Sequence, residues 1–551
     1  MDQQQESTAG ILRRLPLLAA FIILLSVVLF IRLWYIQAVK GEYYHELAEN
    51  NRIRPVKLRP PRGIIYDRSG RPLVENELVF DVSLIPEDAP NLDATIEKLS
   101  AILKIAPDAI RKALDEAEDV RTTYDPVKIQ EEAPWDEVAR VEAHMDDLPG
   151  AIIEPEHRRH YPYAGLAAHQ LGYIGKVSQA QRKKEQTDLG ILTGQGGLEK
   201  VYDKLLRGVA GRRMIQVNAA GRKVKDLGIE EPRPGTDIYL TIDLDAQKAA
   251  EEGLGSRAGA VVAMDPDTGE ILALASHPAY DPNIFPRGIS PKDWVQLMND
   301  PKHPMYNRAI QSVYPPGSTF KIIVGLAGLE SGVIRLDDAV NCKGFLTSGR
   351  RSYRCWKKGG HGTVSFHQAL VESCDVYFYT MGDRIGWDRV AEYARKLGYG
   401  SLTGILLPDE KPGLIPTTAW KKKRTGEVRT FPPEHTRSIT LDSRALQEVQ
   451  SALVGVVNEP GGTAHGAATP LAVVAGKTGT AQVIAQKVAG RKLSEATNDH
   501  AWFVAYAPVE HPKIAVAVLV EHGGHGGSAA APVARKVIEG YLKNVEPKTV
   551  R

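Results

Sequence analysis

The chain has 551 residues, 43% apolar and 25% charged, with 69 basic and 67 acidic side chains for a net charge of +2. That composition suits several folded cores, and at roughly 150 residues per domain it predicts about three or four domains. The near-cancellation of charge excludes the basic footprint of a nucleic-acid binder, so no nucleic-acid partner is expected.

An apolar run from Leu15 to Ile31, broken only by Pro16 and Ser26, leads into Arg32, Trp34 and Tyr35. With Arg32 snorkelling, residues 15–39 are long enough to span a bilayer, and Trp34 and Tyr35 suit its interface. Arg13 and Arg14 place the tail, residues 1–14, on the cytoplasmic side and the rest of the chain outside. A cleaved signal peptide is the competing reading. The length of the run and the lack of a small-x-small cleavage site weigh against it.

Residues 40–232 read as one mixed region. Pro60-Pro61-Arg62-Gly63 precedes Ile64-Ile65-Tyr66 and the turn Asp67-Arg68-Ser69-Gly70. Apolar residues recur at helical spacing from Ile96 to Glu118. Gly194 to Gly197 lacks the Gly-Lys-Ser/Thr of a phosphate loop and predicts a tight turn, with a short helix over Leu198–Leu206. The texture changes over residues 233–551. Strands are expected over Thr236–Thr241, Ala258–Met264, Glu270–Ala275, Ala501–Ala507 and Ile514–Val520. Helices are expected over Asp245–Leu254 and Ala531–Leu542. Strands at both ends with helices between them indicate an α+β domain whose sheet joins the two ends.

The residues that carry chemistry fall in this last region. Ser318 and Lys321 form the only Ser-x-x-Lys of the chain, after Tyr314-Pro315-Pro316-Gly317 and before a buried helix over Ile322–Leu329. Three apart, the two share a helical face. A serine hydroxyl attacks only when a neighbouring base takes its proton, and a lysine serves as that base when its pKa is depressed. Ser373-Cys374-Asp375 lies in a helix-like run, and Lys477-Thr478-Gly479-Thr480 in a strand-like one. Glycine within a strand marks the close approach of another backbone.

Ser-x-x-Lys, Ser-x-Asp and Lys-Thr-Gly in this order resemble the penicillin-binding transpeptidases, a serine β-lactamase-like fold with a central antiparallel sheet flanked by helices. Asp375 stands where many relatives carry Asn. Arg62 to Gly70, Tyr161-Pro162-Tyr163, Ala167-Ala168-His169 and Gly196 to Lys200 resemble the elongated mixed α/β pedestal, the dimerisation-like domain, of class B high-molecular-weight penicillin-binding proteins. The resemblance implies a peptidoglycan D,D-transpeptidase and β-lactam target, of the serine-type D-Ala-D-Ala carboxypeptidase class. Its roles fall on Ser318 as nucleophile, Lys321 as base and Ser373 as proton relay. Asp375 takes a hydrogen-bonding role and Lys477 helps set the local field. Thr478, Gly479 and Thr480 hold the substrate, and the amides of Ser318 and Thr480 form the oxyanion hole.

Cys342, Cys355, His361 and Cys374 follow the spacing Cys-x12-Cys-x5-His-x12-Cys. Thiolates and imidazole are ligands that tetrahedral zinc prefers, and a closed set of four would be structural. The arrangement resembles the penicillin-binding protein 2 branch, the elongation transpeptidases, in which carboxylates commonly fill the first two places. That branch implies a Zn2+ cofactor, a SEDS-family glycan polymerase and a rod-shape elongation complex as partners, and single-pass residence in the bacterial inner membrane with a periplasmic catalytic domain. A Cys342–Cys355 disulfide with Cys374 free is the alternative to zinc. If Ser373 faces the cleft from a helix, Cys374 turns away from it towards the other three ligands. Rival functions are a division-specific transpeptidase, a β-lactam sensor and a non-catalytic scaffold.

Overall fold

The computed structural model describes residues 3–44, 53–118, 125–176, 192–218, 223–418, 439–483 and 497–545. The chain forms two compact units. One comprises Met1–Pro61, Leu78–His157 and Gly208–Pro234, and the other Arg62–Glu77, Arg158–Arg207 and Gly235–Arg551.

In the first unit the amino-terminal helix runs Gln3–Trp34 and continues as a π-helical turn, Tyr35–Val39. Its 22-residue stretch Leu18–Val39 is, among the described residues, the one helix long and apolar enough to cross a membrane. Phe21, Leu24, Leu29 and Phe30 stand exposed along it, so its apolar side chains serve no protein core. Ile53–Leu58, Gly211–Val217 and Lys223–Glu230 form a three-stranded antiparallel sheet. The periodic stretch Ile96–Glu118 is two helices, Leu92–Leu103 and Pro107–Glu118. The first ends at Lys104 in the left-handed conformation (φ 57°), and Pro107 opens the second, where its missing N–H costs nothing. Ile96, Leu99, Leu103 and Ile110 pack on Val82 and Leu84.

The second unit is built on a five-stranded antiparallel sheet in the order Ile271–His277, Gly259–Met264, Ile514–Val520, His500–Ala507, Ala475–Ala481. The central pairing of Gly259–Met264 with Ile514–Val520 joins the two ends of the region, as the strand pattern implies. Helices Leu244–Leu254 and Ala531–Val545 close one apolar core with Val261, Phe503 and Val518. Lys321–Glu330, Phe366–Val371, Asp375–Ile385 and Ser443–Asn458 share a second, centred on Leu326, Phe366, Met381 and Val449. The expected strand Thr236–Thr241 shrinks to Ile238–Tyr239, parallel to Ile65–Tyr66. The expected helix Leu198–Leu206 breaks at Tyr202 into Gly197–Val201 and Asp203–Arg207.

Two residues of the pedestal-like motifs, Arg62 and Glu199, meet Arg159 and Asp203 in a buried ion cluster. Arg62 and Arg159 donate to opposite carboxylate oxygens of the fully buried Glu199, each at 2.7 Å, and Arg62 also reaches Asp203 at 2.9 Å. Burial pushes the Glu199 carboxyl up, but the two guanidiniums outweigh it and hold the group below the usual range. The role of the cluster is structural: removing one partner would strand a buried charge.

Candidate active site

Ser318 sits in a single 3-10 turn, Gly317–Phe320, that runs straight into the buried helix Lys321–Glu330. The turn lies against the edge strand Ala475–Ala481. A Cβ on Gly317, whose φ is +58°, would stand 2.7 Å from the Thr480 carbonyl oxygen and 3.0 Å from its nitrogen. A Cβ on Gly479 would stand 2.9 Å from the Pro316 oxygen. Both glycines are therefore required by close backbone approach, which puts the serine beside the Thr480 amide. Trp502 Nε1–H donates to the Pro315 oxygen at 3.1 Å, and Tyr314 O–H donates to Glu521, which also accepts from Arg308 Nε at 2.9 Å.

Lys321 is almost wholly buried. Its Nζ donates to the Ser373 carbonyl oxygen at 2.8 Å, to Ser373 Oγ at 3.2 Å and to Asp375 Oδ1 at 2.7 Å. The first two Ser-x-x-Lys and Ser-x-Asp motifs thus close on a single ammonium group. The expected continuous helix through Ser373 is not found. Ser373 adopts φ +55° in a turn between Phe366–Val371 and Asp375–Ile385, and Cys374 caps the second helix. A left-handed serine is strained, and here the kink aims Oγ at Lys321 while Cys374 is fully buried. The expected separation of the two side chains therefore comes from a kink and not from helical rotation.

Lys477 is fully buried, and the only hydrogen bond of its side chain among the described residues is from Nζ to the Thr478 carbonyl oxygen, at 3.2 Å. Burial, and after it the positive charge of Lys321, hold its amine well below the ordinary lysine range, against the opposing pull of Asp375. Thr478 Oγ1 shares a 2.8 Å hydrogen bond with Thr463 Oγ1, a residue no motif singles out. Thr480 is half-buried on the same strand.

Behind Ser373, the ligand atoms of Cys342, Cys355, His361 and Cys374 lie within 4.8 Å of one another. His361 Nδ1 is 3.6 Å from Cys342 Sγ and 3.5 Å from Cys355 Sγ, and the three cysteines are free thiols. The contact with Cys374 lowers the Cys355 thiol to about 5, and the same contact raises Cys374. His361 Nε2 is buried with no hydrogen-bond partner and points towards Glu372 Oε2, 3.8 Å away. Three soft sulfurs and one imidazole nitrogen, with a carboxylate facing the far ring nitrogen, fit a tetrahedral zinc and its outer shell. His522 and His525 lie in a loop, where His522 meets His500 at 4.7 Å between ring centres.

Comparison with known proteins agrees with this geometry. Residues 57–240 match the family described as Penicillin-binding Protein dimerisation domain, and residues 259–429 and 422–539 match the Penicillin binding protein transpeptidase domain. The chain is 35% identical to the peptidoglycan D,D-transpeptidase MrdA of Acinetobacter baumannii, over 96% of this chain and 87% of that protein. It superimposes on penicillin-binding protein 2 in its complex with MreC from Helicobacter pylori with a TM-score of 0.75 at 30% identity, covering 90% of this chain and 99% of that one. A chain from a peptidoglycan synthase complex that coordinates polymerization and crosslinking matches with a TM-score of 0.71 at 28% identity, covering 98% of this chain and all of that one. The chain therefore belongs to the penicillin-binding proteins that join a dimerisation domain to a transpeptidase domain, in the branch of penicillin-binding protein 2.

Proposed function

We propose that the protein is a peptidoglycan D,D-transpeptidase of cell elongation. The observation that carries this reading is the convergence of the Ser318 turn, the Lys321–Ser373–Asp375 cluster and the strand of Lys477 to Thr480 on one cleft. Ser318 Oγ attacks the carbonyl between the last two D-alanines of a stem peptide, and Lys321 takes its proton. Ser373 Oγ, 3.2 Å from Lys321 Nζ, relays a proton to the nitrogen of the departing D-alanine. Burial and the neighbouring charge of Lys321 depress the Lys477 amine, which eases the placing of two lysines in one buried site. The amides of Ser318 and Thr480 receive the developing oxyanion, a contribution typically worth ~3–4 kcal/mol per donor. Thr478 and Thr480, two apart on the strand Ala475–Ala481 and so on one face of it, take the substrate's terminal carboxylate. An amine from a second stem then attacks the acyl-enzyme and forms the cross-link. Water in its place gives carboxypeptidation, and a β-lactam leaves a slowly hydrolysed acyl group on Ser318.

Cys342, Cys355, His361 and Cys374 hold a structural Zn2+ in this reading, supported by the donor set and the unpartnered His361 nitrogen. With four protein ligands the ion has no open position for chemistry; it supplies a clamp on the segment that carries Ser373 and Asp375. The apolar helix anchors the chain in the inner membrane, with Arg13 and Arg14 inside and the catalytic unit in the periplasm. MreC in the Helicobacter pylori complex, and the coupling of polymerization to crosslinking in the synthase complex, support a rod-shape complex and a SEDS-family polymerase as partners. The test is cross-linking of labelled stem peptides by full-length protein. Ser318→Ala should lose both the cross-linked product and penicillin labelling with its circular dichroism unchanged. Product from that variant would refute the assignment.

A further inference from the structure

The segment between the metal-type ligands has a charge pattern that the catalytic reading leaves unused. From Asp338 to Glu372 no acidic residue intervenes, yet the stretch holds Lys343, Arg350, Arg351, Arg354, Lys357 and Lys358, in a chain whose charges otherwise nearly cancel. Phe345–Ser348 and Arg351–Arg354 pair as an antiparallel hairpin closed by Gly349 and Arg350, with Gly349 at φ +58° as such two-residue turns require. All six cations are exposed. Lys357 reaches Glu372 at 3.4 Å, but none of the other five meets a carboxylate among the described residues.

The hairpin is fixed to the catalytic machinery. Cys342 precedes it, and Cys355 follows Arg354 directly, with Cys355 N–H donating to the Gly344 oxygen at 2.9 Å. Trp356 N–H then donates to Asp375 Oδ2 at 3.0 Å, and its indole N–H donates to the Glu372 oxygen at 3.0 Å. The other oxygen of Asp375 holds Lys321. One carboxylate thus separates the root of the hairpin from the general base. Tyr353 packs on Tyr379 at 5.7 Å between ring centres, which seats one face of the hairpin on the Asp375–Ile385 helix. Phe345 and Arg354, opposite each other on the other face, are exposed.

We infer that this basic hairpin is a substrate-docking element that binds the free carboxylates of peptidoglycan stem peptides as they enter the cleft past the Ser373 turn. The inference rests on the transpeptidase reading and adds a specificity surface to it. Apart from the terminal carboxylate that Thr478 and Thr480 take, a stem peptide carries further free carboxylates for such cations to bind. A rigid patch of unpaired cations beside the reacting groups raises its local concentration and orients it. Small β-lactams, which lack the stem, bypass the patch.

The experiment uses full-length protein and two probes: uncross-linked glycan strands with free stem carboxylates, and the same strands with those carboxylates amidated. Arg350→Glu with Arg351→Glu, at the hairpin tip and away from the ligands, should weaken binding of the free-carboxylate strands about tenfold at low salt and raise the KM for cross-linking to match. Penicillin acylation of Ser318 should keep its wild-type rate. The wild-type protein should bind amidated strands as weakly as the variant binds free ones, and with a flatter salt dependence. Equal wild-type affinity for both strands, or unchanged strand binding by an acylation-competent variant, overturns the inference. So does a variant that loses only its affinity for phosphatidylglycerol vesicles, which would make the patch a membrane contact. Failure of wild-type acylation would strike the transpeptidase reading itself, so the two failures are separable.

Discussion

Gly317→Ala probes the packing that aims the nucleophile. The left-handed backbone at φ +58° costs a residue with a Cβ about 1–2 kcal/mol. The new Cβ would also stand 2.7 Å from the Thr480 carbonyl oxygen and 2.9 Å from its carbon. Neither backbone can swing aside as a flexible side chain would, so the Ser318 turn and the edge strand must separate. Overpacking of this kind adds about 1–3 kcal/mol, for a total of about 2–5 kcal/mol. Gly349 supplies the control: its φ is also +58°, but nothing lies within 4 Å of its Cβ position. Gly349→Ala should therefore cost only about 1–2 kcal/mol. Because a misplacement of about 1 Å costs a reaction roughly 100-fold, Gly317→Ala should slow penicillin acylation about 10–100-fold, while Gly349→Ala leaves it unchanged. Stopped-flow acylation and denaturant melts on the pair read both effects. Equal stability loss in the two variants, or a wild-type acylation rate in Gly317→Ala, would refute the close approach of turn and strand.

Three further outcomes follow from buried groups. Lys477→Met should abolish cross-linking yet raise stability at neutral pH, measured by thermal melts. A lysine depressed by burial binds fewer protons when folded, so its contribution is favourable above the ordinary lysine range and is lost as pH falls; the variant removes that slope. Glu251, partly buried while accepting from Ala167 N–H at 2.7 Å and Gln247 Nε2 at 2.8 Å, has its carboxyl raised by desolvation to about 7. Its stabilisation is therefore complete below the unfolded value near 4.5 and is lost as pH rises through about 7, by up to about 3 kcal/mol; Glu251→Gln should flatten melting temperature between pH 5 and 8. Cys374→Ser should lower zinc content from near one per chain, measured by elemental analysis, and lower melting temperature and acylation with it.

The sequence makes local features legible and leaves distant partnerships hidden. Ser318 and Lys321 are readable because three-residue spacing and a following apolar run define a helix on their own. Ile514–Val520 is readable from its unbroken apolar run. The kink at Ser373 is not, because its φ of +55° depends on the Cys374 N–H reaching the Ala369 oxygen at 2.8 Å and on the Lys321 ammonium. Thr463 and Trp502 lie outside every motif, and only folding brings them to Thr478 and Pro315. The same holds for Ile238–Tyr239, which reads as part of a longer strand but is limited to two residues by its partner Ile65–Tyr66, more than 170 positions away. The metal-type set falls between these extremes. The residue types announce it, whereas the carboxylate of Glu372 facing His361 Nε2 emerges only in three dimensions.

The central claim is a covalent intermediate on Ser318, and peptide mapping of the trapped acyl-enzyme tests it most directly. Full-length protein is mixed with a stem-peptide donor ending in D-Ala-D-Ala, quenched in acid within the first turnover, digested and sequenced by tandem mass spectrometry. The account predicts an adduct equal to the donor less its terminal D-alanine, on Ser318 in the peptide containing Tyr314 to Lys321. An adduct on any other residue, or cross-linked product formed with no acylated Ser318 at any quench time, would contradict it.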